Sequence, residues 1–250
     1  MLVYKMVAHK TEFAAIAAAP VTAGAARVLD RRLPAAEQIY QLLREEIITC
    51  RLVPGEAISE NRICGMFSVS RSPVRIALTR LAEDGLIDIF PQRGSFVAPI
   101  RMRKVIESQF ARTALEIALV EVAAKAWTEA NAAEAHANLA DQKRHAAGGE
   151  AWEFYLDNER FHQMIARAAG LEGVWATVQS VKMLWDRVGH LANRVSGHRE
   201  EIIAEHEAIV EALDARDEKR AVKAMKLHLR SVFNAIARLR PLHEDYFTDG

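Results

Sequence analysis

Three histidines stand where a helical repeat would place core side chains, and imidazoles in such positions need a chemical reason. His162 lies on the seam Tyr155, Asn158, Ile165, Ala169, with Asn158 one turn before it. His206 falls between Ile202 and Ile209 on a seam ending at Leu213, and His228 sits among Ala221, Met225, Val232 and Ala235. A fourth polar residue, Arg112, shares the seam Val105, Ser108, Leu115, Leu119, Val122. Burying such groups without partners is costly, and for three histidines the economical shared partner is a divalent metal ion. Neutral imidazoles with an oxygen ligand suit Zn²⁺, Ni²⁺, Fe²⁺ or Mn²⁺, and ligands from separate helices commonly meet inside a bundle. The competing reading makes each histidine a satisfied structural residue.

A second chemistry is written in the stretch from Ser68 to Leu81. Ser70 is placed to cap a helix, Pro73 is tolerated in its first turn, and Val74, Ala77, Leu78 and Leu81 form one apolar face. Arg71, Ser72 and Arg75 are left at the exposed N-terminal end, with no acid before Glu83. Arginine can bridge guanine O6 and N7 in the major groove, while hydroxyls and helix N-terminal N–H groups hold phosphate. Taken alone, the helix reads equally well as an amphipathic helix with a solvated basic face.

The flanking elements favour nucleic acid. A helix is expected over 34–49, followed by the turn Leu52-Val53-Pro54-Gly55-Glu56. A second helix starts at Ser59 and turns Ile63, Met66 and Phe67 inward, and a break at Phe67-Ser68-Val69 gives helix–turn–helix spacing. Gly85 stops the following helix. Leu86–Ile89 and Ser95–Val97 read as short strands around a turn whose tip carries Gln92, Arg93 and Gly94. This is a winged helix–turn–helix, and a basic tip beside glycine can approach phosphate or the minor groove. Beyond Pro99 no further strand is expected. Helices near 101–127, 131–146, 150–169, 171–190, 198–214 and 217–240 imply an antiparallel bundle, so the fold is mostly α.

Length and charge agree with two domains in 250 residues. The whole chain is neutral, but residues 31–103 hold 11 Lys and Arg against 8 Asp and Glu, while residues 104–250 hold 19 against 23. The basic excess therefore lies with the helix–turn–helix. Cys50 and Cys64 are the only cysteines and have no metal-ligand or disulfide spacing, which fits a reducing cytoplasm. No run of about 18 apolar residues predicts a membrane span. Residues 1–32 read as a poorly ordered extension, 33–98 as the winged helix, 99–103 as a linker, 104–242 as the helical domain and 243–250 as a tail.

The motifs from Leu52 to Glu56, from Val69 to Arg75 and from Arg93 to Val97 resemble the DNA-binding domain of the GntR family of bacterial transcription regulators. Arg112-x-x-x-Glu116, Asn158-x-x-Phe161-His162, Glu205-His206-Glu207 and the run to His228-Leu229 resemble the FCD effector domain of its FadR branch. The resemblance implies DNA contacts from Ser70, Arg71, Ser72, Arg75, the wing residues Gln92, Arg93 and Gly94, and either Asn61 or Arg62. It implies metal ligands His162, His206 and His228, with Asn158 where the family usually has aspartate. Asp157 is adjacent but lies about 140° around the helix from His162, against about 40° for Asn158. An amide binds a dication more weakly than a carboxylate does and leaves it one more positive charge. A small carboxylate effector bridging the metal and Arg112 would complete the site, the alternative for Arg112 being a salt bridge with Glu116. The resemblance also implies a homodimer on a palindromic operator. The rival functions are a metal-dependent hydrolase using the three histidines, for which no carboxylate at helical spacing marks a general base, and a dimerisation bundle with structural histidines.

Overall fold

A computed structural model describes residues 29–249, and the chain divides after Pro99 into two units. Most of the expected extension over residues 1–32 lies outside the described residues. Its last part is a turn in which Asp30 pairs with Arg32 and donates its backbone N–H to Gln38 Oε1, 2.8 Å away.

In the first unit α1 (Ala35–Ile48), β1 (Ala57–Ile58), α2 (Glu60–Phe67) and α3 (Arg71–Glu83) precede the hairpin of β2 (Ile87–Phe90) and β3 (Gly94–Val97). The apolar faces of the three helices meet in one core: Ile39, Leu43 and Ile47 from α1, Ile63 and Phe67 from α2, and Val74, Leu78 and Leu81 from α3 are buried. The sheet is antiparallel in the order β1-β3-β2, with Phe90 opposite Gly94 at the wing turn. Strand β1 was not expected, because two residues carry no readable alternation; it pairs Ala57 with Phe96.

Ser70 corrects another expectation. It occupies the N-cap of α3 in extended backbone, yet its side chain makes no capping bond. A capping hydroxyl commonly accepts from the third residue on, as Ser59 does from the Arg62 N–H in α2. In α3 that position is Pro73, which has no N–H to give.

The second unit contains β4 (Ile100–Arg101) and six helices: α4 (Met102–Ala126), α5 (Glu129–Gly148), α6 (Ala151–Ala168), α7 (Glu172–Ala192), α8 (His198–Asp214) and α9 (Glu218–Leu239). The starts of α5 and α9 are capped by Thr128, in a reciprocal box with Asn131, and by Asp217. The core runs through Leu119, Val120 and Ala123 of α4, Phe161 and Ile165 of α6, and Ile209, Leu213 and Met225 of α8 and α9.

No strand was expected beyond Pro99, yet Ile100 and Arg101, within the expected linker 99–103, form β4, and Met102 opens α4. Short 3₁₀ turns lead to β5 (Phe247–Thr248), which pairs in parallel with β4. This pairing joins the two sequence ends of the unit, a tertiary event invisible to local pattern. Val122, assigned to the seam of Arg112, is 39% exposed, while Val120 and Ala123 are buried. Ten residues on from Arg112 the helix has rotated about 80° off that direction.

Leu81, fully buried between α1 and the sheet-side core, tests the winged-helix packing. Leu81→Ala is expected to lower stability by about 2–5 kcal/mol. Urea unfolding followed by circular dichroism measures it, and a loss well under this range would mean that the core closes around the gap.

Candidate nucleic-acid interface and metal centre

Helix α3 turns Arg71, Ser72, Arg75, Ile76 and Thr79 outward along one concave face of the first unit. Two of these side chains are held by the start of α2. Asn61 Oδ1 accepts from Arg71 Nη2 at 3.1 Å, and Glu60 Oε2 accepts from Arg75 Nε at 3.1 Å. Asn61 thus sits against an arginine of the recognition helix, while Arg62 is exposed on α2. Ser70 is exposed at the helix start. At the wing Gln92, Arg93 and Gly94 are exposed, and Gln92 (φ +62°) and Gly94 (φ +100°) bend the chain through left-handed backbone. The Arg93 guanidinium lies 5.6 Å from the centre of the Phe90 ring. Ile76, 59% exposed, was missed by the sequence reading; an apolar residue one step after Arg75 was the available signal.

Within the second unit His162 of α6, His206 of α8 and His228 of α9 converge, and their ligand-capable nitrogens lie within 4.8 Å of one another. His228 Nε2 is 3.3 Å from both His206 Nε2 and His162 Nε2. All three residues are buried. Phe161 stacks on His206 with ring centres 3.9 Å apart, and Trp175 lies parallel to His162.

The opposite edge of each imidazole decides its proton. His162 Nδ1 meets Glu116 Oε2, His206 Nδ1 meets Gln142 Oε1 at 2.9 Å, and His228 Nδ1 meets Glu205 Oε2 at 2.9 Å. The Gln142 amide is oriented in turn, because its Nε2 donates to Asn138 Oδ1, whose own Nδ2 donates to the Asp157 carbonyl. Gln142 and Glu205 oxygens therefore accept from the Nδ1–H groups of His206 and His228, the Glu116 carboxylate lies against His162 Nδ1, and this assignment leaves the Nε2 lone pairs facing one another. Arg112, a donor only, supports this assignment with Nη2 at 3.1 Å from His162 Nε2. Inward lone pairs and outward N–H bonds to carboxylate or amide oxygen are the arrangement of metal-binding histidines. Sequence reasoning missed Gln142 and Glu205. A buried glutamine beside Leu139 and an acid next to His206 were the only local signs.

Asn158 is buried and lines a cavity with His228, Arg112 and Trp185. Asp157 points into a different cluster, bonded to His145 Nδ1 at 2.5 Å and Arg160 Nη1 at 2.8 Å. Arg112 forms the salt bridge offered as its alternative role, Nε to Glu116 Oε1 at 2.5 Å, and its guanidinium carbon lies 4.4 Å from the Trp185 ring centre. The cavity measures about 30 Å³. Among the described residues, two buried polar atoms of its wall have no partner: Trp185 Nε1, a donor, and Asn193 Oδ1, an acceptor. A Cβ on Gly189 would come 2.6 Å from the Trp185 ring, so glycine there makes room for the indole.

Residues 35–97 match the bacterial regulatory proteins of the gntR family, and residues 107–231 match the FCD domain. The chain belongs to the GntR family. It is 34% identical to the HTH-type transcriptional repressor RspR of Escherichia coli over 216 residues, 86% of this chain and 95% of RspR. It is 36% identical to an uncharacterized HTH-type transcriptional regulator of Streptomyces ambofaciens, over 84% of this chain and 88% of that one. The fold is that of E. coli McbR/YncC, with a TM-score of 0.68 at 18% identity, covering 86% of this chain and 99% of that one. This GntR-family member is a DNA-binding transcriptional regulator with an FCD effector domain, and it is not an enzyme. None of its described helices is long and apolar enough to cross a membrane.

Burial holds the two central imidazoles neutral in this regulator: His162 is pushed down to about 4 and His206 well below its ordinary value. Burial alone would raise the Glu116 carboxyl, but the Arg112 guanidinium and His162 beside it draw it well below the usual range. In chelator-treated protein the unfolded chain takes up protons on these histidines below about pH 6.5, whereas folded His162 resists them until about 4. The unfolded state then binds more protons, so stability is lost as pH falls through that window. Thermal melts from about pH 7 to about pH 5 should show a falling Tm that is shallower in His206→Ala; identical slopes would refute the buried neutral pair.

Proposed function

We propose that this regulator works in the cytoplasm as a homodimer on a palindromic operator, and that its FCD domain senses a small organic acid through a divalent metal ion. His162, His206 and His228 would hold the metal and Asn158 would give a weaker oxygen ligand. The observation that carries the reading is the meeting of three buried Nε2 atoms while each Nδ1 lies against an oxygen from another helix. Arg112 Nη2 answers the His162 nitrogen alone, whereas a metal ion among the three would answer all of them. The donor set of neutral nitrogens with amide oxygen suits Zn²⁺, Ni²⁺, Fe²⁺ or Mn²⁺. A bound dication supplies positive charge and a coordination position for a carboxylate oxygen.

The effector's class is argued from the cavity wall. The free end of the Arg112 guanidinium, the Trp185 indole N–H and the Asn193 carbonyl oxygen offer an anion clamp, a donor and an acceptor. The small volume favours a compact acid. The homodimer reading is supported by Ile106 and Phe110, one turn apart on α4 and both exposed, which a second copy would cover. On the DNA side we assign base and phosphate contacts to Ser70, Arg71, Ser72 and Arg75, with Gln92, Arg93 and Gly94 at the wing and Asn61 or Arg62 beside them.

Protein purified without a histidine tag is expected to contain about one metal ion per chain, lost in His206→Ala. After chelation, adding Zn²⁺ or Ni²⁺ at about 1,000 times its Kd should restore about 4 kcal/mol of stability. Wild-type protein that carries no metal and gains no stability from any of the four ions would return the histidines to a structural role. For DNA, selection from a random duplex pool should enrich a palindrome. Arg71→Ala or Arg75→Ala should then cost about 1–3 kcal/mol of specific binding; unchanged operator binding would sink the recognition-helix assignment.

A further inference from the structure

We infer that Glu60 and Asn61, at the start of α2, are positioning residues that set how Arg75 and Arg71 present themselves to DNA. The inference rests on the reading that these two arginines meet base edges. Glu60 is the first residue of α2, where the positive end of the helix favours a carboxylate. Its Oε2 takes the Nε–H of Arg75, fifteen residues on, and Asn61 Oδ1 takes an Nη2–H of Arg71, ten residues on. The arginines have exposed side chains, and so do their partners in part or whole. Pairs in such surroundings contribute little to stability. Holding the fold together therefore does not account for them.

Their geometry has a consequence for recognition. A guanidinium can address guanine O6 and N7 through its two terminal nitrogens or through Nε and one terminal nitrogen. With Nε engaged by Glu60, Arg75 keeps its two terminal nitrogens for the base and loses the other mode. The long side chain is also ordered before DNA arrives, so less rotamer freedom remains to be lost on binding. The carboxylate has an opposite effect on every phosphate it approaches, weakening attraction to DNA of any sequence. Glu60 thus raises the ratio of specific to random binding in two ways, by orienting the reader and by repelling the backbone. Asn61 does the first for Arg71 without the charge, and its Nδ2 group stays available as a donor.

The test uses the full-length protein and selection from a random duplex pool, with wild type, Arg71→Ala, Arg75→Ala, Glu60→Ala, Glu60→Gln and Asn61→Ala compared on the enriched operator and on random duplex. Glu60→Ala should flatten base preference at the same position that Arg75→Ala flattens, with discrimination there falling about 5- to 10-fold. Its affinity for random duplex should rise about 2- to 5-fold at low salt. Glu60→Gln keeps an acceptor for Nε, so it should restore the preference while retaining the higher random affinity. Asn61→Ala should blur the position that Arg71→Ala flattens. Melting temperature should stay near wild type in all of them, which separates positioning from a folding role. If Arg75→Ala alters a base preference and Glu60→Ala leaves it untouched, the positioning inference is overturned and the recognition-helix reading stands. If Arg75→Ala alters none, both fall.

Discussion

Three buried imidazoles whose Nε2 atoms meet form the constraint around which the helical domain is built. Each ring is fixed from behind by an oxygen from another helix or from its neighbour: Glu116 of α4 for His162, Gln142 of α5 for His206, and Glu205 of α8 for His228. Five of the six helices therefore contribute a side chain to one centre. An imidazole turned over at any of the three positions would set a lone pair against an oxygen on one side and an N–H toward the centre on the other. The support extends further for His206, whose tautomer depends on Gln142, which is oriented by Asn138, which is anchored on the backbone of α6. Polar networks of this kind are stable only when complete, so they narrow the ways in which these helices can pack. Anything that enters the centre acts on all of those helices together.

The DNA-binding unit follows a different logic. Its core is apolar and ordinary, and it leaves the chemistry on a surface held by single exposed bonds. Helix α3 buries Val74, Ala77, Leu78 and Leu81 and turns every polar group of its first turn outward. Pro73 removes the N–H that would have drawn in the Ser70 hydroxyl, so that hydroxyl stays at the exposed helix start. The same proline rule that makes the helix start legible thus also leaves that hydroxyl outside the helix's own hydrogen bonds. Rigidity comes from the packing below, while Arg71 and Arg75 on the surface are held by single side-chain bonds.

This contrast explains what could be read in the sequence. The helices and the seams bearing Asn158, His162, His206 and His228 were legible because the 3.6-residue repeat makes a polar residue on an apolar face conspicuous. The wing was legible through the helix stop at Gly85 and two short strands around a turn ending at Gly94. The partners were not legible, since Glu116 meets His162 and Gln142 meets His206 only after distant helices pack. Strands β1, β4 and β5 were hidden for a related reason: two residues have no period, and their partners lie far along the chain. Val122 was misplaced by a small error of phase, which grows with distance along a helix. Arg112 was ambiguous in sequence because one guanidinium has edges enough for both roles. The structure gives its Nε edge to Glu116 and leaves a terminal nitrogen beside His162.

Charge links the histidine centre to the class of molecule it would take. The charged groups in direct contact with the three imidazoles are Arg112, Glu116 and Glu205, one cation against two anions. A dication among the imidazoles would turn that single negative excess into a single positive one, in surroundings where uncompensated charge is expensive. A carboxylate at the position of Asn158 would cancel the excess internally and leave a further anion unwelcome. Asparagine leaves it open, so the next group to enter with profit is a monoanion. On the proposed reading, the asparagine that would weaken the protein's own grip on a metal would thereby strengthen the pull on a carboxylate ligand. Metal affinity and acid affinity would then be two sides of one electrostatic balance, each ligand raising the other's affinity by the same factor.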